Sequence, residues 1–101
     1  MIDPGAFEAS FLFNIIGENN RLKVLTCLME KAQTVGEIRE ETKIEKTLLS
    51  KHLKALRSAG IVFSTRTGRN LKYQINPRLR KPGHRRSIFL HCCEIKLRPA
   101  R

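Results

Sequence analysis

The chain reads as a mainly α fold with a small β-sheet, an α+β arrangement in a single domain spanning residues 1–101. Three observations predict this. Four stretches before residue 61 place apolar residues at helical spacing, most of them next to a capping or stop residue. Two short stretches, 61–66 and 71–75, then flank a Gly-containing loop at 67–70. Beyond residue 76, a basic segment punctuated by Pro and Gly leads to a last stretch that alternates at its end. A core of this size is marginal alone, so further burial against a second copy is expected.

The first helix starts at Asp3-Pro4, with Asp as N-cap and Pro at the first helical position, and runs to about Ile16 before Gly17 stops it. Phe7, Phe11, Leu12, Phe13, Ile15 and Ile16 cover more than one of its faces, so part of that surface is expected to meet another subunit. Phe7, Phe11, Leu12 and Ile15 are the candidate dimer contacts in this dimerisation segment, residues 1–17. A second helix covers about 20–31, with Leu22, Val24, Leu25, Leu28 and Met29 on one arc. Arg21 falls inside that arc and needs a buried partner or a path to water.

Thr34 and Glu37 have the spacing of a capping box, in which hydroxyl and carboxylate each satisfy a free N–H of a helix start. The helix they open is short, about 35–41, and residues 42–45 form a turn. The next helix, 46–60, is strongly two-faced. Lys46, Thr47, Ser50, Lys51, Lys54, Arg57 and Ser58 share one arc, while Leu48, Leu49, His52, Leu53, Ala55, Leu56 and Ala59 fill the other. Its N-cap position holds Glu45, where Ser, Thr, Asp or Asn is usual. Strands at 61–66 and 71–75 follow, Pro77 ends the second, 77–87 is a basic loop, and 89–97 is a last strand.

Charge narrows the function. Residues 1–50 carry six Lys/Arg against eight Asp/Glu, whereas residues 51–101 carry fourteen against the single acid Glu94. The net +11 is therefore concentrated in one half, which points to a face that meets nucleic acid or an anionic membrane. A membrane is disfavoured. The longest apolar run, 11–16, is broken by Asn14 and lies behind Asp3 and Glu8, and the cationic helix carries no Trp or Phe. A cytoplasmic location follows, where three cysteines need not pair. No paired carboxylates, nucleophile–base set or phosphate loop appears, so no enzyme activity and no cofactor is expected.

Two short helices joined by a tight turn, the second cationic on its outer face, make a helix-turn-helix over 34–60, and the basic hairpin at 61–76 makes a wing. In that architecture the second helix enters the major groove of double-stranded DNA with its N-terminal half at the base edges. Lys46, Thr47, Ser50 and Lys51 are the candidate base contacts. Lys54 and Arg57 suit phosphates, and Arg66, Arg69 and Lys72 on the wing suit backbone or minor groove. The basic loop and His84 would add to that affinity. RNA recognition usually stacks bases on exposed aromatics, and only Tyr73 is a candidate for that, so DNA is the better match. A module docking an acidic protein partner is the alternative from another class.

GENNRLKVL at 17–25, LLSKHLKALRSAGIV at 48–62 and TGRNLKYQI at 67–75 resemble the winged-helix repressors of the ArsR/SmtB type over about 60 residues. The resemblance implies a homodimeric transcription repressor that binds a two-fold symmetric operator and leaves it on a signal. Two departures bear on that signal. Metal sensors of the family often carry Cys-x-Cys where this chain has Lys31-Ala32-Gln33-Thr34, and a C-terminal ligand-bearing helix where this chain is broken by Pro. Both familiar metal sites are therefore missing, and the inducer is not legible.

His91, Cys92 and Cys93 remain as candidates for a metal or thiol response. In a strand at 89–97, Cys92 and Cys93 point to opposite faces and cannot chelate one ion without a bulge. Cys93 falls on the more apolar face, which suits a small buried thiol. Cys27 falls toward the polar side of its helix, as a surface, contact or reactive thiol, or an ordinary helix-edge residue. His52, on the apolar arc, reads as a satisfied core histidine.

Overall fold

The computed structural model describes residues 12–90 and 93–98. Residues 12–16 are helical and are followed by helix α1 (Asn19–Leu28), strand β1 (Gln33–Thr34), helix α2 (Val35–Thr42) and helix α3 (Lys46–Ser58). Strands β2 (Val62–Thr67) and β3 (Asn70–Ile75), a 3-10 turn (Pro77–Leu79), and strands β4 (Ser87–Phe89) and β5 (Glu94–Lys96) complete it. The proposed start of the first helix at Asp3-Pro4 lies outside the described residues.

Capping explains where the helices begin. Thr34 Oγ1 accepts from Glu37 N at 3.2 Å and Thr34 N donates to Glu37 Oε1 at 2.8 Å, so the expected capping box opens α2. Glu45 caps α3 despite its length, its two carboxylate oxygens accepting from Thr47 N at 3.0 Å and Leu48 N at 3.1 Å. The turn between α2 and α3 passes through Lys43 at φ 61°, a left-handed conformation that a side chain disfavours.

The end of α3 is equally well defined. Gly60 N donates to Arg57 O and Ile61 N to Leu56 O, both at 3.0 Å, which with Gly60 at φ 77° is a Schellman motif. Ile61 and Leu56, its flanking apolar pair, are both buried. This motif turns the chain directly from the helix into β2.

β2 and β3 pair antiparallel from Val62↔Ile75 to Thr67↔Asn70, leaving Gly68-Arg69 as a two-residue turn. Gly68 takes φ 63° at the first turn position, as a II′ hairpin needs. β1 adds to the other edge of β3 through Gln33↔Tyr73 and Thr34↔Lys72, giving the sheet order β1-β3-β2. That two-residue strand is absent from the sequence reading, being too short for any alternation to show. It ties the start of α2 to the wing.

The expected single strand at 89–97 is instead a hairpin. β4 and β5 pair through Ser87↔Lys96, Ile88↔Ile95 and Phe89↔Glu94. Ile88 and Leu90 enter the core, and Ile95 and Leu97 pack against it, so folding back places apolar residues of both arms there. The core gathers Val24, Leu25 and Leu28 of α1, Ile38 of α2, Leu49, Leu53 and Leu56 of α3, and Ile61, Val62 and Ile75 of the sheet. These elements hold α3 with one face sealed and the other in solvent.

Candidate nucleic-acid interface

α3 presents Lys46, Thr47, Ser50, Lys51, Lys54 and Arg57 as exposed residues, opposite the buried Leu49, His52, Leu53 and Leu56. On the wing Arg66 and Arg69 are exposed and Lys72 is half-buried. None of these seven cations is in an ion pair among the described residues, where the Lys/Arg ion pairs are Glu40–Lys43 and Glu30 with Arg85 and Arg86. An outward cationic surface held in no ion pair retains its field for a polyanion.

One residue departs from the expected division of faces. Leu48 belongs to the apolar arc by spacing, but it is 38% exposed in the first turn of α3. The wheel's arc is wider than the buried seam, and the end of the helix reaches beyond its support. Tyr73, the candidate stacking aromatic, is buried, while Phe63 on β2 is exposed.

Beneath the cationic face lies a polar joint. His52 is 5% exposed, and its Nδ1 accepts from Arg21 Nε at 3.0 Å. Arg21 also donates through a terminal nitrogen to Ile15 O at 3.2 Å. Arg21 thus has the buried partner its position demanded and links the helical residues 12–16, α1 and α3. His52 Nε2 faces Glu18 Oε2 at 3.4 Å without an aligned hydrogen bond. Glu18 caps α1 by accepting from Arg21 N at 3.1 Å. Desolvation raises its pKa, but the Asn20 and Arg21 backbone N–H groups and the nearby cationic charge outweigh it, leaving the carboxyl below the ordinary glutamate value.

The basic segment after the wing is less available than its composition implied. Arg85 and Arg86 reach Glu30 at 3.3 and 3.0 Å, and Arg80 donates to Met29 O and Arg85 O. Lys81 Nζ stands 4.3 Å over the Phe89 ring, and His84 packs edge-on against the same ring. These contacts fasten 77–89 to the end of α1.

The other candidates separate. Leu12 and Ile15 are half-buried against the core, and Phe13 between them is 50% exposed. Phe7, Phe11, His91 and Cys92 lie outside the described residues. Cys93 packs against the core and its carbonyl accepts from Leu90 N at 2.8 Å. Among the described residues no three His, Cys, Asp or Glu side chains gather to hold a metal ion. Cys27 is not on a polar surface: it is buried, and desolvation followed by hydrogen bonding to Glu41 pushes its thiol up to about 12. The helical wheel misplaced it because α2 covers that side of α1.

The model of the arsR family of bacterial regulatory proteins matches residues 18–64. The transcriptional repressor SdpR of Bacillus subtilis (strain 168) is 32% identical over 65 residues, covering 64% of this chain and 72% of SdpR. This chain belongs to the ArsR family. Rv0081 of M. tuberculosis superposes with a TM-score of 0.69 at 29% identity, covering 76% of this chain and 79% of that one. A homodimeric winged helix-turn-helix DNA-binding domain, Mb0332 of Mycobacterium bovis, gives 0.66 at 26% identity, covering 75% and 73%. The ArsR-family chain described here is accordingly a winged helix-turn-helix protein and a DNA-binding transcription regulator. No helix among its described residues is long and apolar enough to cross a membrane.

Proposed function

We propose that this chain is a cytoplasmic, non-enzymatic homodimeric repressor that binds a two-fold symmetric operator with one α3 in the major groove of each half-site. Lys46, Thr47, Ser50 and Lys51 meet base edges, Lys54 and Arg57 meet phosphates, and Arg66, Arg69 and Lys72 meet the flanking backbone or minor groove. The observation that carries this reading is the exposed face of α3, whose cations and hydroxyls stand together without a neutralising acid. The helical residues around Phe13 supply the dimer contact, since Phe13 is outward while Leu12 and Ile15 turn half inward. Homodimerisation of the Mycobacterium bovis relative supports a dimer, though not which residues form its contact.

Mobility-shift titrations on operator duplexes over a range of salt test the whole reading. Neutralising several phosphates makes log affinity fall linearly and steeply with log salt. A flat profile would defeat the electrostatic account, and equal retention of all duplexes would exclude α3 as a sequence reader.

A further inference from the structure

The three large apolar side chains exposed among the described residues are Phe13, Phe63 and Leu48, and only Leu48 lies on α3. A single exposed leucine is ordinary on a protein surface. Leu48 differs in its position. It occupies the first turn of the helix, the end that reaches base edges when such a helix enters a groove. Its backbone is held there by Glu45 Oε2, which accepts from Leu48 N. At helical spacing its neighbour one turn on is Lys51, three residues away on the same side. The next apolar residue, Leu49, is completely buried, so Leu48 stands where the buried seam of α3 gives way to its exposed face.

The major groove offers one apolar feature to such a side chain, the C5-methyl group of thymine. We infer that Leu48 is a specificity-determining residue, its methyl groups packing on a thymine methyl beside the base pair contacted by Lys51. The inference rests on the assignment of α3 to the major groove. Three residues advance a helix by about 4.5 Å, close to the roughly 3.4 Å between base pairs, so Leu48 and Lys51 address neighbouring pairs. A lysine donates to guanine O6/N7 and a leucine selects thymine by its methyl, which together read a two-base-pair step.

Replacing thymine by uracil removes that methyl alone and leaves base pairing and every hydrogen-bonding group intact. Duplexes enriched by the wild-type protein from a randomised pool are scanned one thymine at a time with uracil. One thymine per half-site should be sensitive, with affinity falling about fourfold, the equivalent of about 0.8 kcal/mol for one methyl group. Leu48→Ala should bind thymine and uracil duplexes alike at that position, with a cooperative melting transition read alongside to show that the variant is folded. Full uracil sensitivity in Leu48→Ala, or no sensitive thymine in the wild type, overturns the inference. A pool in which the wild type enriches nothing overturns the groove assignment as well, and so is distinguished from failure of Leu48 alone.

Discussion

Cys27 shows how burial sets chemistry at a single residue. Its thiol, shielded by α2 and bonded to Glu41, holds its proton to about pH 12, whereas an unfolded cysteine releases it near 9. The native thiol is therefore a poor nucleophile at pH 8, and mass-spectrometric mapping after alkylation should find Cys27 modified slowly in the folded protein and rapidly in denaturant. Rapid native labelling would contradict the burial. The raised value also makes Cys27 a stabilising group below pH 9 whose contribution is lost as pH climbs from 9 toward 12. At the cationic face the roles divide by chemistry. On the proposed docking, Lys51→Ala should alter base preference, because that docking gives its ammonium to base edges, while Arg69→Ala should weaken every duplex by a similar factor and reduce the salt slope by about one. Competition binding on enriched and scrambled duplexes checks both.

At the scale of elements, the turn between α2 and α3 stores strain that one substitution should relieve. Lys43 adopts φ 61°, where a Cβ is penalised by roughly 1 kcal/mol, and its side chain makes only a long exposed pair with Glu40 at 3.9 Å. Lys43→Gly should raise unfolding free energy by up to about 1 kcal/mol in denaturant titration, less whatever entropy glycine adds to the unfolded chain. Thr34→Ala removes one half of the capping box and should lower stability by about 1 kcal/mol in the same assay. Such caps were visible in the sequence because they depend on residues three apart. The strand β1 was not, since its two residues become a strand only when Tyr73 and Lys72 arrive beside them. The C-terminal hairpin was hidden for a related reason. Residues 90–93 contain none of the Gly, Pro, Asn or Asp that mark a tight turn, and burial of Ile88 against the core decides the fold-back.

For the whole molecule, the acid side of the stability profile follows from its caps. Backbone N–H groups of Thr47 and Leu48 hold Glu45 below the ordinary glutamate value of 4.5, and the Thr34 N–H does the same for Glu37. A carboxyl with a depressed folded-state pKa stabilises the protein above its unfolded pKa and loses that contribution as pH falls through the folded value. The melting midpoint should therefore drop on acidification below 4.5, and the drop should be smaller in Glu45→Gln, whose amide oxygen accepts without titrating. An identical acid profile for that variant would remove Glu45 from the account.

The sequence by itself determined the helices, their caps, the hairpin and the cationic face of α3, because each depends on side chains within one or two turns of each other. The assignment of DNA as partner came from the same local signals, chiefly the absence of acids within Lys46–Ser58. Tertiary structure decided which cations remain unpaired, by drawing Arg85 and Arg86 onto Glu30 while leaving Lys51 and Arg69 in solvent. It also decided that Cys27 is buried and Leu48 is not, since a helical wheel gives direction but not the extent of the surface that meets it. Arg21 joins the two levels: its place on an apolar arc demanded a partner, and only the packing of α1 on α3 made that partner His52.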